Sequence, residues 1–271
     1  MISIFRKVKE LGYSKTIILI INRLSRYLNR LSRYLFLPQW YIYKLKNLGF
    51  SDRTFNNTGC EVELALETKE HFIRTILSQN KGKKFLEIEI GEYPNIKRVN
   101  LMQESEIQYT ACDFEAVCKS HKKALEIRGI DTTNMKFASN RVGAYCWTLF
   151  EMLINKERFD VIYLDGHHTF YVDLPAIFLA HYILIPGGYL LVDDIEWTCN
   201  FLKNNLLRSF HDWYFYNRMY DLAEYEIEQQ SIPHIKMITE QILVAELGYS
   251  KIESYSTPAW WTLQKPITAE L

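Results

Sequence analysis

The sequence predicts an α/β protein: a doubly wound, mostly parallel sheet with helices on both faces and an antiparallel last strand, preceded by a basic helical N-terminal arm. Three observations predict it. Short apolar runs rich in β-formers alternate with helix-length segments from Lys84 to Val192. Strands separated by helix-length segments imply parallel pairing with right-handed crossovers. Two further strand candidates close the chain without a helix between them, which suits an antiparallel pair. Finally, residues 1–50 carry ten Lys/Arg against the single acid Glu10, a charge of +9, while the whole chain sums to zero.

The arm holds a tandem repeat. Asn22–Leu28 and Asn29–Leu35 both read NRLSRYL. Seven residues make two helical turns, so Leu24, Leu28, Leu31 and Leu35 share a stripe flanked by arginines. The arm reads as a helix laid on the domain; contact with an anionic membrane surface and self-association as a homodimer are the alternatives. Its longest apolar run, Ile17–Ile21, is too short to span a bilayer. Residues 51–60 are polar and turn-rich, so residues 1–60 form arm and linker, and 61–271 the main domain.

Within that domain Glu61–Leu77 reads as an amphipathic helix. Strands are expected at Lys84–Ile90, Ile107–Cys112, Met135–Ala138, Phe159–Leu164 and Tyr189–Val192. Helices are expected at Glu115–Arg128, Tyr145–Asn155, Leu174–Leu184, Thr198–Phe210 and His234–Leu247, with an unusually short one before the second strand. Ile252–Tyr255 and Trp260–Gln264 are the closing strands. The aromatic-rich stretch HDWYFYNRMYDLAEY (His211–Tyr225) reads as part of a cap insertion over about 211–233, covering an acceptor or packing on the sheet edge.

Composition is that of an ordinary globular chain, 48% hydrophobic and 24% charged over 271 residues. Five cysteines without C-x-x-C spacing argue against a disulfide framework or a cysteine zinc site, and fit a reducing, cytoplasmic compartment, with a membrane-peripheral location through the arm as the variant. The acidic body argues against a nucleic-acid partner.

Ligands of such sheets sit at the carboxyl ends of the strands. Asp165-Gly166-His167-His168 ends the fourth strand, and Asp193-Asp194 ends the fifth. Clustered carboxylates repel unless a positive charge lies between them, and oxygen ligands suit Mg²⁺ or a similar divalent cation. A capping role for Asp193 or Asp194 is the bland alternative, and it leaves Asp165 unexplained. A neutral imidazole nearby could take a proton near neutral pH, with His168 the first choice as base and His167 the second. After the first strand, Glu89-Ile90-Gly91-Glu92-Tyr93-Pro94-Asn95 reads as E-x-G-x-x-x-G with asparagine at the last glycine; asparagine is the residue after glycine that best tolerates positive φ. Asp113 ends the second strand 22 residues after Gly91, near the spacing at which an acid meets ribose hydroxyls. Ser139, Asn140 and Arg141 end the third strand as polar groups that could meet a base edge. The chain has no G-x-G-x-x-G, which argues against a dinucleotide cofactor.

Together these strand ends resemble a class I S-adenosylmethionine-dependent methyltransferase, over about Lys83–Gln264. The most specific part is FDVIYLDGHHTFYVDLPAIFLAHYILIPGGYLLVDD (Phe159–Asp194), which is similar to the D-G-x-H-x-Y … L-x-P-G-G … D-D run of metal-dependent O-methyltransferases of the macrocin and catechol type. Phe170 stands where that pattern has tyrosine, and His168 where the catechol enzymes carry a lysine. The resemblance implies a Rossmann-like fold, Mg²⁺ held by Asp165, Asp193 and Asp194, and S-adenosylmethionine bound by Glu89, Gly91, Tyr93, Asn95, Asp113, Ser139 and Asp165. It implies methyl transfer to a small-molecule or glycan hydroxyl. The altered loop at Asn95 motivates one rival, a non-catalytic ligand-binding or interaction module of the same fold.

Overall fold

The computed structural model describes residues 71–76, 78, 83–91, 94–140, 145–206 and 224–267. The chain divides into two units, 1–55 and 56–271, and every described residue belongs to the second. The basic arm with its repeat, the linker, most of the aromatic stretch, Tyr93 and Arg141 lie outside the described residues. Among the described residues no helix is long and apolar enough to cross a membrane.

The elements are β1 (Lys84–Ile88), α1 (Ile96–Glu104), β2 (Gln108–Phe114), α2 (Glu115–Ile127), β3 (Lys136–Asn140), α3 (Tyr145–Ile154), β4 (Phe159–Leu164), α4 (Phe170–Ile183), β5 (Leu184–Val192), α5 (Cys199–Leu206), α6 (His234–Ile238), β6 (Ser250–Lys251) and β7 (Trp261–Gln264). They build one seven-stranded sheet of order β3-β2-β1-β4-β5-β7-β6. β1 to β5 run parallel, and β7 is antiparallel to both β5 and β6. This is the predicted doubly wound sheet with a reversed strand near its edge. The order turns back between β1 and β4, and such a switch point opens a crevice at the strands' carboxyl ends.

Strand alternation sorts the core into two layers. On one face Phe85, Tyr109, Ala111, Val161, Tyr163 and Leu191 pack with Leu101 and Met102 of α1 and with Phe72 and Ile73 of the helical stretch 71–76. On the other, Leu86, Ile88, Ile162, Leu164, Leu190 and Val192 pack with α3, α4 and α6. One charge is placed inside the first layer. Glu87 of β1 is buried, paired with Arg98 of α1, and accepts the Tyr109 hydroxyl at 2.6 Å. The Arg98 guanidinium also lies over the Tyr163 ring, 4.3 Å from its centroid. A buried carboxylate with two donors and a stacked cation fixes α1 against β1 and β4.

Several boundaries differ from the sequence expectation. β1 stops at Ile88, because Glu89 takes a left-handed backbone. β5 starts at Leu184, not Tyr189, and Pro186-Gly187-Gly188 is a bulge within it: Phe159 pairs with Leu184, and Val161 next with Tyr189. The helix expected over His234–Leu247 is α6 followed by a π-helix, Thr239–Glu246. The strand expected at Ile252–Tyr255 is a 3-10 turn at Glu253–Tyr255, and Ser250–Lys251 pairs instead. Local hydroxyls explain that shift. Ser256 Oγ donates to Ile252 O and accepts from Thr262 N, and Thr262 Oγ1 donates to Tyr255 O, taking bonds a longer ladder would need.

Candidate active site

The loops leaving β1, β4 and β5 carry three residues in the left-handed region that are not glycine: Glu89 (φ 63°), His168 (φ 61°) and Asp194 (φ 48°). The other two such residues, Glu106 and Lys156, follow helices α1 and α3 at the opposite sheet edge, where helix endings commonly turn this way. Each unusual backbone costs about 1–3 kcal/mol and persists where surrounding structure over-determines it. The three residues stand at the carboxyl ends of β1, β4 and β5, at and beside the switch point, and each carries a carboxylate or an imidazole.

On the β1–β2 side, Gly91 adopts φ 66°, a conformation for which glycine is the natural residue. Its N–H donates to Asp113 Oδ2 at 3.2 Å, and Phe114 N–H donates to Asp113 Oδ1 at 2.6 Å. Asp113 is buried at the end of β2 and pairs in register with Ser139 of β3, which is exposed at the rim. Glu89 lies beside this pair. Burial first, and then the carboxylates of Asp173, Asp113 and Asp165, push its pKa well above the ordinary value. Its Oε2 is buried with no hydrogen-bond partner among the described residues. Asn95 behaves differently from the expectation. Its φ is −74°, so no left-handed backbone is needed; its Oδ1 accepts Arg98 N at 3.1 Å and it caps α1. The loop therefore lacks a second glycine because it ends directly in a capped helix.

On the β4 side, an unpredicted residue organises the D-G-H-H loop. Asp173, fully buried in the first turn of α4, accepts the Tyr145 hydroxyl, His167 N–H at 3.2 Å and Thr169 N–H at 3.0 Å. Burial raises its carboxyl to about 6 against these donors, which pull it down. Gly166 is required by this packing: a Cβ there would meet Asp173 Oδ1 at 2.2 Å and the Tyr145 oxygen at 2.7 Å. His167 is half-buried, with Nδ1 2.9 Å from Thr169 Oγ1.

Beyond it, Asp165, His168 and Asp194 each bring one ligand atom to a common point, all within 4.8 Å of one another. His168 Nε2 is 3.7 Å from Asp165 Oδ1 and 3.5 Å from Asp194 Oδ2. Burial pushes the His168 imidazole down to about 4, opposed by Asp193 and aided by His167, so it is neutral near pH 7. Trp197 packs tilted against its ring at 4.9 Å. Asp193 stands outside this group. It accepts the Tyr163 hydroxyl on Oδ2, and its Oδ1 accepts Asp194 N–H at 3.0 Å. The predicted set Asp165, Asp193 and Asp194 is thus brought together only in part, and His168 occupies the third place.

Sequence reasoning named Glu89, Gly91, Asp113, Asp165, His167, His168 and Asp194, and the fold places all of them on this one edge. It missed Asp173, Tyr145 and His121. His121 of α2 is buried under the loop, with Nδ1 3.4 Å from Gly91 O. The one available signal for Asp173 was its place four residues after Thr169, where α4 begins.

No protein-family model matches the chain, and no curated protein matches it. Among solved structures it is similar to an O-methyltransferase family protein from Burkholderia thailandensis, with 12% identity and a TM-score of 0.43 over 74% of this chain and 57% of that one. It is also similar to the N-methyltransferase NodS from Bradyrhizobium japonicum (13% identity, TM-score 0.43, 78% of this chain and 99% of that one). A third likeness is to the T. thermophilus 16S rRNA N2 G1207 methyltransferase, solved with AdoMet and guanosine (15%, 0.43, 81% and 44%). The chain spans little more than half of the Burkholderia protein. At these values the likenesses carry no argument about chemistry, which rests on the site itself.

Proposed function

We propose that the chain transfers a methyl group from S-adenosylmethionine to a hydroxyl of a small molecule or glycan, with a divalent cation assisting. The observation that carries this reading is Glu89 Oε2, a buried acceptor without a partner among the described residues, set at the switch point amid the carboxylates of Asp113, Asp165 and Asp173. Such an acceptor is stabilised by a cationic donor. S-adenosylmethionine, with its ammonium and sulfonium, fits that demand. When bound, the cofactor supplies an electrophilic methyl, and the cation lowers the acceptor hydroxyl's pKa.

The residues divide the work. Glu89 holds the cofactor's ammonium end. Asp113, fixed by two backbone N–H groups at the end of β2, would meet the ribose hydroxyls, and Ser139, its register partner on β3, would lie at the adenine rim. Asp165 and Asp194 hold the cation beside the acceptor. His167, half-buried and oriented by Thr169, takes the hydroxyl proton as the oxygen–methyl bond forms and the sulfur–methyl bond breaks. Asp173 and Tyr145 hold that loop in one conformation, which would keep His167 in place for the proton transfer. The non-catalytic rival was motivated by Asn95, and the helix cap there gives that residue an ordinary structural role, which supports the catalytic reading.

Isothermal titration with S-adenosylhomocysteine tests the reading. The unmodified chain binds, and Glu89→Gln weakens binding about 10- to 100-fold, the worth of one charge-assisted hydrogen bond. Absence of binding heat from the unmodified chain at high ligand concentration overturns it.

A further inference from the structure

A ligand set of three aspartates is what the sequence pattern implies, and the fold does not assemble it. Tyr163 and the Asp194 backbone take up the carboxylate of Asp193. In its place stands an imidazole. We propose that His168 is a direct ligand of the cation at this rim, through Nε2, so that the site favours a first-row transition cation over Mg²⁺. The inference rests on the reading that this rim takes a divalent cation, and is independent of which acceptor is methylated.

Three observations carry it. Nε2 lies 3.5 and 3.7 Å from the two carboxylate oxygens. Both separations exceed a good hydrogen bond. They lie close to the roughly 3.4 Å between two donors that share one tetrahedral cation at about 2.1 Å. Second, His168 is only 6% exposed, so its ring has little access to an incoming acceptor, whereas a ligand needs none. Third, its left-handed backbone and the Trp197 ring hold the imidazole toward the carboxylates rather than toward solvent. Imidazole nitrogen suits Zn²⁺, Fe²⁺ or Ni²⁺, while Mg²⁺ prefers oxygens and retained waters. The assignment also separates the two adjacent histidines: His168 binds the cation, and His167 handles the proton.

The test uses the full-length chain, freed of metal and titrated with Mn²⁺. Loss of the free-ion signal in electron paramagnetic resonance reports binding, and pulsed measurements on the bound ion report a coupled ¹⁴N. The expected result is imidazole ¹⁴N coupling that disappears in His168→Asn, with Mn²⁺ affinity falling about tenfold relative to Mg²⁺. If thermal melts show that His168→Asn does not fold, His168→Gln replaces it. Bound Mn²⁺ without ¹⁴N coupling overturns the ligand assignment alone, as does coupling that survives the substitution. No Mn²⁺ binding by the unmodified chain overturns the cation reading as well, while the calorimetric binding of S-adenosylhomocysteine reports separately on the cofactor half.

Discussion

At the β1–β2 rim the protein supplies its own partners: Asp113 takes backbone N–H groups from Gly91 and Phe114, and His121 sits against the Gly91 carbonyl. At the β4–β5 rim the side chains of Asp165, His168 and Asp194 converge without closing hydrogen bonds among themselves. The two rims are held by the same device, a left-handed residue after the strand, yet they end in different states. The first is a preformed cradle in which Glu89 Oε2 and His121 Nε2 are buried without a hydrogen-bond partner among the described residues. The second is a set of ligand atoms from three side chains that lie within 4.8 Å of one another. A rim satisfied by backbone resists change, and a rim completed by a ligand depends on that ligand.

This contrast can be broken most directly at Asp165. Asp165→Ala should reduce metal-stimulated turnover by at least about 100-fold while leaving S-adenosylhomocysteine binding within a few-fold. Equal loss of both would show that the rims are one unit, and full activity with EDTA present would remove the cation from the reaction. The next effect is structural. Gly166→Ala drives a Cβ into Asp173 and Tyr145, and should destabilise the protein by about 1–3 kcal/mol, read as a lower Tm. If the melt is unchanged, Asp173 is not what fixes the D-G-H-H loop.

The smallest effect concerns acid. His181, far along α4 from the loop, accepts or donates at 3.0 Å to the Tyr249 hydroxyl, and burial with the nearby Lys265 charge pushes its imidazole down to about 4. Lys265 itself donates to His181 O and Leu184 O, closing the end of α4. A histidine whose folded pKa is depressed contributes stability above its unfolded value of about 6.5, and loses it as pH falls toward 4. Denaturant midpoints measured across that window should fall, and His181→Asn should flatten part of the slope. What slope remains belongs in part to His168, whose imidazole burial also pushes down to about 4, just before the helix begins. An unchanged slope in His181→Asn would place the acid response elsewhere, at His168, His121 or His234, whose imidazoles burial also pushes down.

The sequence by itself determined the sheet and its active edge. Alternation of strand and helix runs placed β1 to β5, and the residues at their carboxyl ends, Glu89, Gly91, Asp113, Asp165 and Asp194, follow from strand positions that local pattern makes readable. Only the tertiary structure decided which way the end residues face. Whether Asp193 or Asp194 joins the cluster depends on Tyr163, thirty residues earlier on the neighbouring strand, and on a backbone turn at Asp194. Asp173 and His121 became part of the site because α4 and α2 carry them to loops far away in sequence. Periodicity reports which side of an element is buried. It does not report which distant donor a buried carboxylate will meet, since that is fixed by pairing register and by the close packing of one element on another.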